Sequence, residues 1–163
     1  MAAIALRAAT PHPSPPRDPQ QLVSVERVVD GDTLIVAGGM RVRLIGINTP
    51  ELARDGRPDE PGAIAARDFL QHAVSGRAIS LGFDREPFDK YGRRLAYVYD
   101  HGQLINEEII RAGLSRAQTQ YRYSSAMKTR FRRAEREAQD RRVGQWSKTA
   151  GPASTGAADF QNE

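Results

Sequence analysis

Apolar and polar positions alternate along the first third of the chain with the period of two that marks β-strands, and later with the 3.6-residue period of helices. Residues 22–29, LVSVERVV, are rich in β-branched side chains and predict a strand. Asp30-Gly31 is a turn signal. Residues 33–36 predict a second strand, and Gly38-Gly39 makes a hairpin turn into a third over residues 40–47. In that third strand Val42 and Leu44 share one face, while Arg41, Arg43 and Ile45 share the other. If the first face fills a core, Arg43 points from the sheet into a cleft.

A helix is predicted from Glu60-Pro61 to Val74, with proline in its first turn and Gly76 just past its end. Ile64, Ala65, Phe69 and His72 carry its helical spacing, with Leu70 and Ala73 on the adjoining side. Residues 77–83 and 93–99 predict a fourth and a fifth strand. In the fifth, Leu95, Tyr97 and Tyr99 alternate with Ala96 and Val98. Asn106 is expected to cap a short helix over residues 107–112, ended by Gly113. A last helix is expected over residues 125–143, with Met127, Phe131, Ala134 and Ala138 as its apolar stripe.

Three strands, a helix, two strands and two helices fit an α+β chain that is mainly β: a five-stranded OB-fold barrel packed with about three helices. Such barrels commonly bind oligonucleotides, but a fold alone does not fix a function. Pro11, Pro13, Pro15, Pro16 and Pro19 make residues 1–20 an extended arm, expected to be disordered. Its apolar stretch is short, broken by Arg7 and preceded by no basic residue, so it reads poorly as a signal peptide and gives no compartment. Residues 148–163 are small, polar and aperiodic and are expected to form a disordered tail. The folded domain is therefore expected over residues 21–147.

Composition narrows this picture only a little. The chain of 163 residues is long enough for one domain with a core. Its 24 Lys+Arg against 20 Asp+Glu give a net charge of +4, which suits a polyanionic partner without demanding one. The absence of cysteine excludes disulfides and thiolate metal sites. No apolar run approaches the roughly 20 residues that span a bilayer, so no membrane partner is expected. His12, His72 and His101 show no ligand spacing. The basic run over residues 128–142 is interleaved with Glu135, Glu137 and Asp140 and reads as a solvated helix face with pairs at i,i+4.

The chemistry concentrates in residues 30–51, DGDTLIVAGGMRVRLIGINTPE, and in Asp89-Lys90-Tyr91-Gly92-Arg93. Carboxylates beside a pair of arginines are what metal-assisted phosphodiester cleavage needs. The acids hold a cation and activate water, and the arginines neutralise phosphate charge. Asp30 reads as a turn residue whose side chain bonds its own backbone. Arg93, rather than its neighbour Arg94, is expected to enter the site. Tyr97 and Tyr99 read as barrel residues, and Tyr121 and Tyr123 as better candidates to stack on a base.

DGDT (30–33), RVRLIGINTPE (41–51), DKYGRRLAYVY (89–99), the helix NEEIIRAGL (106–114) and Trp146 stand in the order that resembles the staphylococcal nuclease family, over about residues 22–146. The resemblance implies an OB-fold nuclease that cleaves DNA, and RNA as well, with one bound calcium ion. It implies Asp32, Asn48 and the backbone carbonyl of Thr49 as metal ligands. It implies Glu51 as the residue that orients or deprotonates the attacking water, and Arg43 and Arg93 as the phosphate-contacting arginines. Lys90 and Tyr91 match residues near a terminal phosphate, and Tyr121 matches one of two tyrosines beside the base. Thr119 stands where the second tyrosine would be. The main departure is Asn48, where the family usually has an aspartate, and one negative charge is therefore missing from the metal site. The alternative is a catalytically weak or inactive OB-fold module that binds nucleic acid; a protein-interaction scaffold would have no need of both arginines. The resemblance also allows a secreted or periplasmic location, and a monomer is expected.

Overall fold

The computed structural model describes residues 21–147, so the expectations for residues 1–20 and 148–163 lie outside the described residues. Strands β1 (Gln21–Asp30), β2 (Thr33–Val36) and β3 (Met40–Leu44) form an antiparallel meander, with Leu34 opposite Val42 and Thr33 opposite Arg43. The first half of β1 pairs with β5 (Ala78–Gly82) and its second half with β2. Irregularities between Val25 and Arg27 and between Val28 and Asp30 mark where the long strand leaves regular register, as barrel curvature requires. Strand β5 pairs with β6 (Arg94–Asp100), and β6 returns to β3 in parallel, Val42 opposite Arg94 and Leu44 opposite Ala96. The five strands close as the mixed OB-fold barrel. The short β7 (Gln103–Leu104) lengthens its edge on β6.

Helices α1 (Ala63–Val74), α2 (Ile105–Arg111) and α3 (Ser125–Arg141) pack on this barrel. The alternation read in β3 holds: Val42 and Leu44 are buried and Arg43 lies on the other face. Tyr97 and Tyr99 are buried in the barrel, and Phe131, Ala134 and Ala138 are the buried stripe of α3. A mixed ionic cluster joins α2 to α3. The nearly buried Glu107 lies between Arg111 and Arg130, and Arg111 also reaches Glu108 and Glu137. Burial works against the charge of Arg111, but its hydrogen bond to Glu137 and the charges of Glu107 and Glu108 outweigh it and raise the pKa of the guanidinium. Part of the basic run thus fastens a helix.

Several boundaries differ from the sequence reading. The third strand stops at Leu44 instead of residue 47, because Gly46 takes a φ of +77° and a Cβ there would lie 2.4 Å from the Phe131 ring. The chain turns at that glycine and starts again as β4 (Ile47–Asn48), which pairs with β8 (Arg116–Ala117), two short strands that no periodicity announces. Helix α1 starts at Ala63 rather than at Glu60-Pro61, because Gly62 takes a φ of 91° and Glu60 donates its N–H to the Glu51 carbonyl. Its buried face is Ala63, Ala66, Leu70 and Val74; Ile64 and His72 are exposed. Small residues face inward because α1 crosses close to Gly31, where an added Cβ would lie 2.5 Å from that of Ala66. Helix α3 ends at Arg141, with Arg142 in the left-handed region.

Asn106 does not cap α2. It lies inside the helix, fully buried, and its side chain accepts from Val98 N–H at 2.9 Å and donates to the carbonyls of Ile45 at 2.9 Å and Ala96 at 3.4 Å. One amide thereby ties α2, β6 and the turn after β3. Asn106→Ala takes the side-chain partner from the Val98 N–H and the Ile45 carbonyl, while the Ala96 carbonyl keeps the Ile45 N–H, and is expected to cost about 2–4 kcal/mol. Urea unfolding of the variant against wild type measures it, and a loss below 1 kcal/mol would show the tie to be dispensable.

Candidate active site

The parallel register of β3 and β6 sets Arg43 opposite Leu95, so Arg43 and Arg93 emerge at the same mouth of the barrel. Both line a cleft of about 280 Å³, together with Lys90 and Tyr121. Arg94 does not line it, so of the two neighbouring arginines it is Arg93 that enters the cleft.

Asp32 sits at the start of β2, 3% exposed. Its Oδ1 accepts from the Thr33 hydroxyl at 3.0 Å. Its Oδ2 accepts from Thr49 N–H at 2.9 Å, from the Thr49 hydroxyl at 3.3 Å and from Arg43 Nη2 at 3.0 Å. Asp30 bonds the Asp32 N–H through Oδ1 at 3.0 Å, the turn role expected for it. Gly31 between them admits the 48–49 loop, since a Cβ there would lie 2.7 Å from the Thr49 hydroxyl. Burial pushes the Asp32 carboxyl up to about 6; Arg43 opposes the shift, and the charge of Asp30 adds to it.

Arg43 is held on all sides. Its Nη1 donates to the carbonyls of Leu44 and Ile47, each at 2.9 Å, and its Nη2 donates to Asn48 Oδ1 at 3.0 Å as well as to Asp32. A single cationic nitrogen therefore lies between the two side-chain oxygens that the sequence points to as metal ligands. Among the described residues there is no group of three or more His, Cys, Asp or Glu able to hold a metal. The donor set of Asp32, Asn48 and the Thr49 carbonyl has a different composition, all hard oxygen with a single carboxylate. Such donors suit a hard divalent cation, which would take the place that Arg43 Nη2 holds between Asp32 and Asn48.

Arg93 donates through Nε to Asp89 at 2.6 Å and through Nη1 to the Thr33 hydroxyl at 3.5 Å. Asp89 also accepts the N–H groups of Tyr91 and Arg93. Burial alone would raise its carboxyl, but the bonds from Arg93 and Tyr91 hold it below the usual range. Arg93 and Lys90 both lie over the Tyr91 ring, at 5.4 and 4.9 Å. Tyr91 and Tyr121 are exposed.

Glu51 stands on the exposed loop after Thr49. Its backbone is tied to Glu60, while its carboxylate has no hydrogen-bond partner among the described residues. Glu51, Asp32, Asn48, Thr49 and Tyr91 lie outside the cleft lining. Thr119 accepts from Arg132 at 3.1 Å, so it faces a helix cation. Tyr123 is no stacking platform: it is 7% exposed and packs on Phe131 with ring centres 6.1 Å apart.

Two residues of the site received no role from the sequence reading. Ser115 is buried and accepts the Asn48 N–H at 2.9 Å, while its one hydroxyl proton has the Arg116 carbonyl at 2.9 Å and the Asn48 carbonyl at 3.1 Å within reach, so it holds the backbone of Asn48 beside β8. Nothing in the sequence marks a lone serine after a helix end. Asp89, which aims Arg93, was visible as an aspartate opening a turn.

The class of protein this defines is an OB-fold barrel with two arginines at its mouth, one of them paired with a buried carboxylate. Residues 41–148 match the family model described as Staphylococcal nuclease homologue. The chain is 37% identical over 127 residues to the Thermonuclease of Staphylococcus intermedius, covering 76% of this chain and 75% of that one. It is 34% identical over 131 residues to the Thermonuclease of Staphylococcus hyicus, covering 78% and 77%. It is 32% identical over 149 residues to Endonuclease YncB of Bacillus subtilis, covering 88% and 69%. The chain belongs to the staphylococcal nuclease family, and these relatives support a nuclease function.

The raised Asp32 pKa fixes a sign. Between pH 3.8 and about 6 the folded state holds a proton that the unfolded chain releases, so this residue's contribution to stability falls as pH rises through that window. In chelator, Asp32→Asn is expected to gain stability relative to wild type, on the order of 2–3 kcal/mol, between pH 4 and pH 7. Denaturant unfolding at the two pH values tests this; a relative loss would mean that the Arg43 pair outweighs burial.

Proposed function

We propose that this protein is a calcium-dependent nuclease that hydrolyses phosphodiester bonds of DNA, and of RNA in the same cleft. The observation that carries the reading is the convergence of Arg43 and Arg93, fifty residues apart in sequence, on one cleft mouth beside the buried carboxylate of Asp32.

Asp32, Asn48 and the Thr49 carbonyl would hold the ion, whose charge polarises a phosphoryl oxygen when it is bound. The chain's own residues do the rest. Arg93 donates N–H groups of its outer guanidinium edge to phosphoryl oxygens as negative charge builds there. Among the described residues Arg43 has its Nε–H left for the same task, and its Nη2 becomes available as Asp32 and Asn48 turn to the ion. Asp89 holds Arg93 in place for this by its short bond to Nε, and the Leu44 and Ile47 carbonyls do the same for Arg43. The Glu51 carboxylate, free of other partners, accepts a proton from the attacking water or orients it. Lys90 and Tyr91 flank a terminal phosphate, and Tyr121 offers an exposed ring to a base. The substrate is a polyanion, in keeping with a chain of net charge +4.

A second reading, a binding module with little or no catalysis, is favoured by one observation: Asn48 contributes an oxygen but no charge to the cation site. Cleavage of single-stranded and duplex DNA across a calcium titration, with a chelator control, separates the two. The nuclease reading expects calcium-dependent cutting, a fall in kcat of roughly 10²–10⁴ in Glu51→Gln, and a calcium requirement about tenfold lower in Asn48→Asp. Binding without cleavage at any calcium level, with cutting appearing only in Asn48→Asp, would establish the module.

A further inference from the structure

The mechanism leaves Arg94 and two phenylalanines without a task. The Arg94 guanidinium lies 4.1 Å from the centre of the Phe83 ring and 5.1 Å from that of Phe88. Both rings face solvent, at 42% and 54% exposure. Asp89 is taken by Arg93, and among the described residues no carboxylate pairs with Arg94. The cluster is therefore an apolar surface around an uncompensated cation, a combination that gains from being covered by something flat and negatively charged.

The cluster is also rigid. Phe88 makes an isolated antiparallel bridge with Arg94, and Leu95 donates its N–H to the Pro87 carbonyl at 3.0 Å. Arg94 is the first residue of β6 and stands opposite Val42 in the barrel closure. Arg94 is thus presented from the barrel wall and Phe88 from a segment bonded to it, with Phe83 directly after β5, so the ordering cost is reduced when a partner binds.

Its position points to the partner. Phe88 lines the same cleft as Arg43 and Arg93, so a chain that leaves the cleft on that side meets its ring next. We infer that Phe83, Phe88 and Arg94 form a stacking shelf that takes an unpaired base, together with its phosphate, from a single-stranded nucleic acid running out of the cleft. The ring of Phe88 covers the base, and Arg94 answers the phosphate charge. Every base offers a π-face, so the shelf reads no sequence. Bases of a duplex are already stacked on each other, so the shelf favours single strands. This inference takes from the nuclease reading only the path of the strand.

The test is equilibrium binding of a fluorescent eight-residue oligo-dT to the full chain in chelator, where no hydrolysis occurs, read by anisotropy over a salt series. Phe88→Ala is expected to weaken binding about tenfold, and Phe88→Trp to restore it. Arg94→Ala is expected to weaken binding and to lower the slope of log affinity against log salt by about 0.7, the value of one lost phosphate contact on a single strand. An abasic strand of the same length should bind wild type and Phe88→Ala alike. Wild-type affinity for oligo-dT in both alanine variants overturns the shelf while leaving the nuclease reading intact. An equal loss on the abasic strand overturns it too, since no base would then be involved. A wild type that binds oligo-dT but cuts nothing at any calcium level removes the nuclease reading and leaves the shelf to be judged by the variants. A wild type that binds no strand in chelator overturns the shelf, while the calcium titration still decides the nuclease reading.

Discussion

The parallel pairing of β3 with β6 is the constraint on which the rest depends. Without it the five strands would be an open sheet with Arg43 at one edge and Arg93 at the other. With it, two guanidinium groups share one mouth, and the carboxylates that aim them come from the turns on either side. The pairing is weak locally, three residues long, and it is reinforced from behind. The Asn106 amide bonds the backbone of β6 and of the turn after β3, and the α2–α3 ionic cluster holds that helix against the barrel. Function at the mouth thus rests on a buried polar group on the far side of the strand, where a half-satisfied network would be worse than none.

Charge is distributed with the same economy. A net charge of +4 suggests a basic face, yet many arginines near the barrel are engaged by acids. Arg111, Arg130 and Arg133 bond Glu107, Glu108 and Glu137, while Arg77 bonds Asp100. Asp84 accepts from the Tyr97 hydroxyl and the Ser124 N–H, and these bonds overcome burial to keep it ionised. At the cleft Arg93 and Arg43 are paired too, but each with a single carboxylate. Asp32 remains the least settled group, its charge opposed by burial and by Asp30 and relieved by one guanidinium. Burial thus works against a carboxylate that a single guanidinium relieves, at the mouth where Arg43 and Arg93 meet.

Much of this was legible in the residues. The β2–β3 hairpin followed from Gly38-Gly39 between alternating strands, and the placement of Arg43 followed from the period of two. The apolar stripe of α3 followed from the 3.6-residue period. The barrel and its class followed from the order of elements and the motifs within them. What periodicity could not show was the set of features made by contact between distant segments. Gly46 breaks β3 because Phe131 stands 85 positions later against it. The β4–β8 pair is two residues long on each side and carries no pattern. Helix α1 turns small residues inward because a glycine turn passes close by, so the larger Ile64 misled the choice of face. Asn106 has the composition of a cap and the environment of a core residue; only the neighbouring strands distinguish the two. Ser115 was invisible for the same reason.

The clamp on the Asn48–Thr49 peptide has a further consequence for the age of the molecule. An asparagine converts slowly to aspartate when the next residue's backbone nitrogen swings back and attacks the side-chain amide carbon. That nitrogen here, Thr49 N, is committed to Asp32 Oδ2 at 2.9 Å in a buried setting, and Ser115 accepts the Asn48 N–H on the other side. The attacking nitrogen would have to give up that bond, and the amide oxygen its bond from Arg43, before the two could react. The neutral residue at position 48 is accordingly a lasting chemical state of the folded protein. The carboxylate that the resemblance leads one to expect there returns by a change in the gene, not by a change with time in the protein.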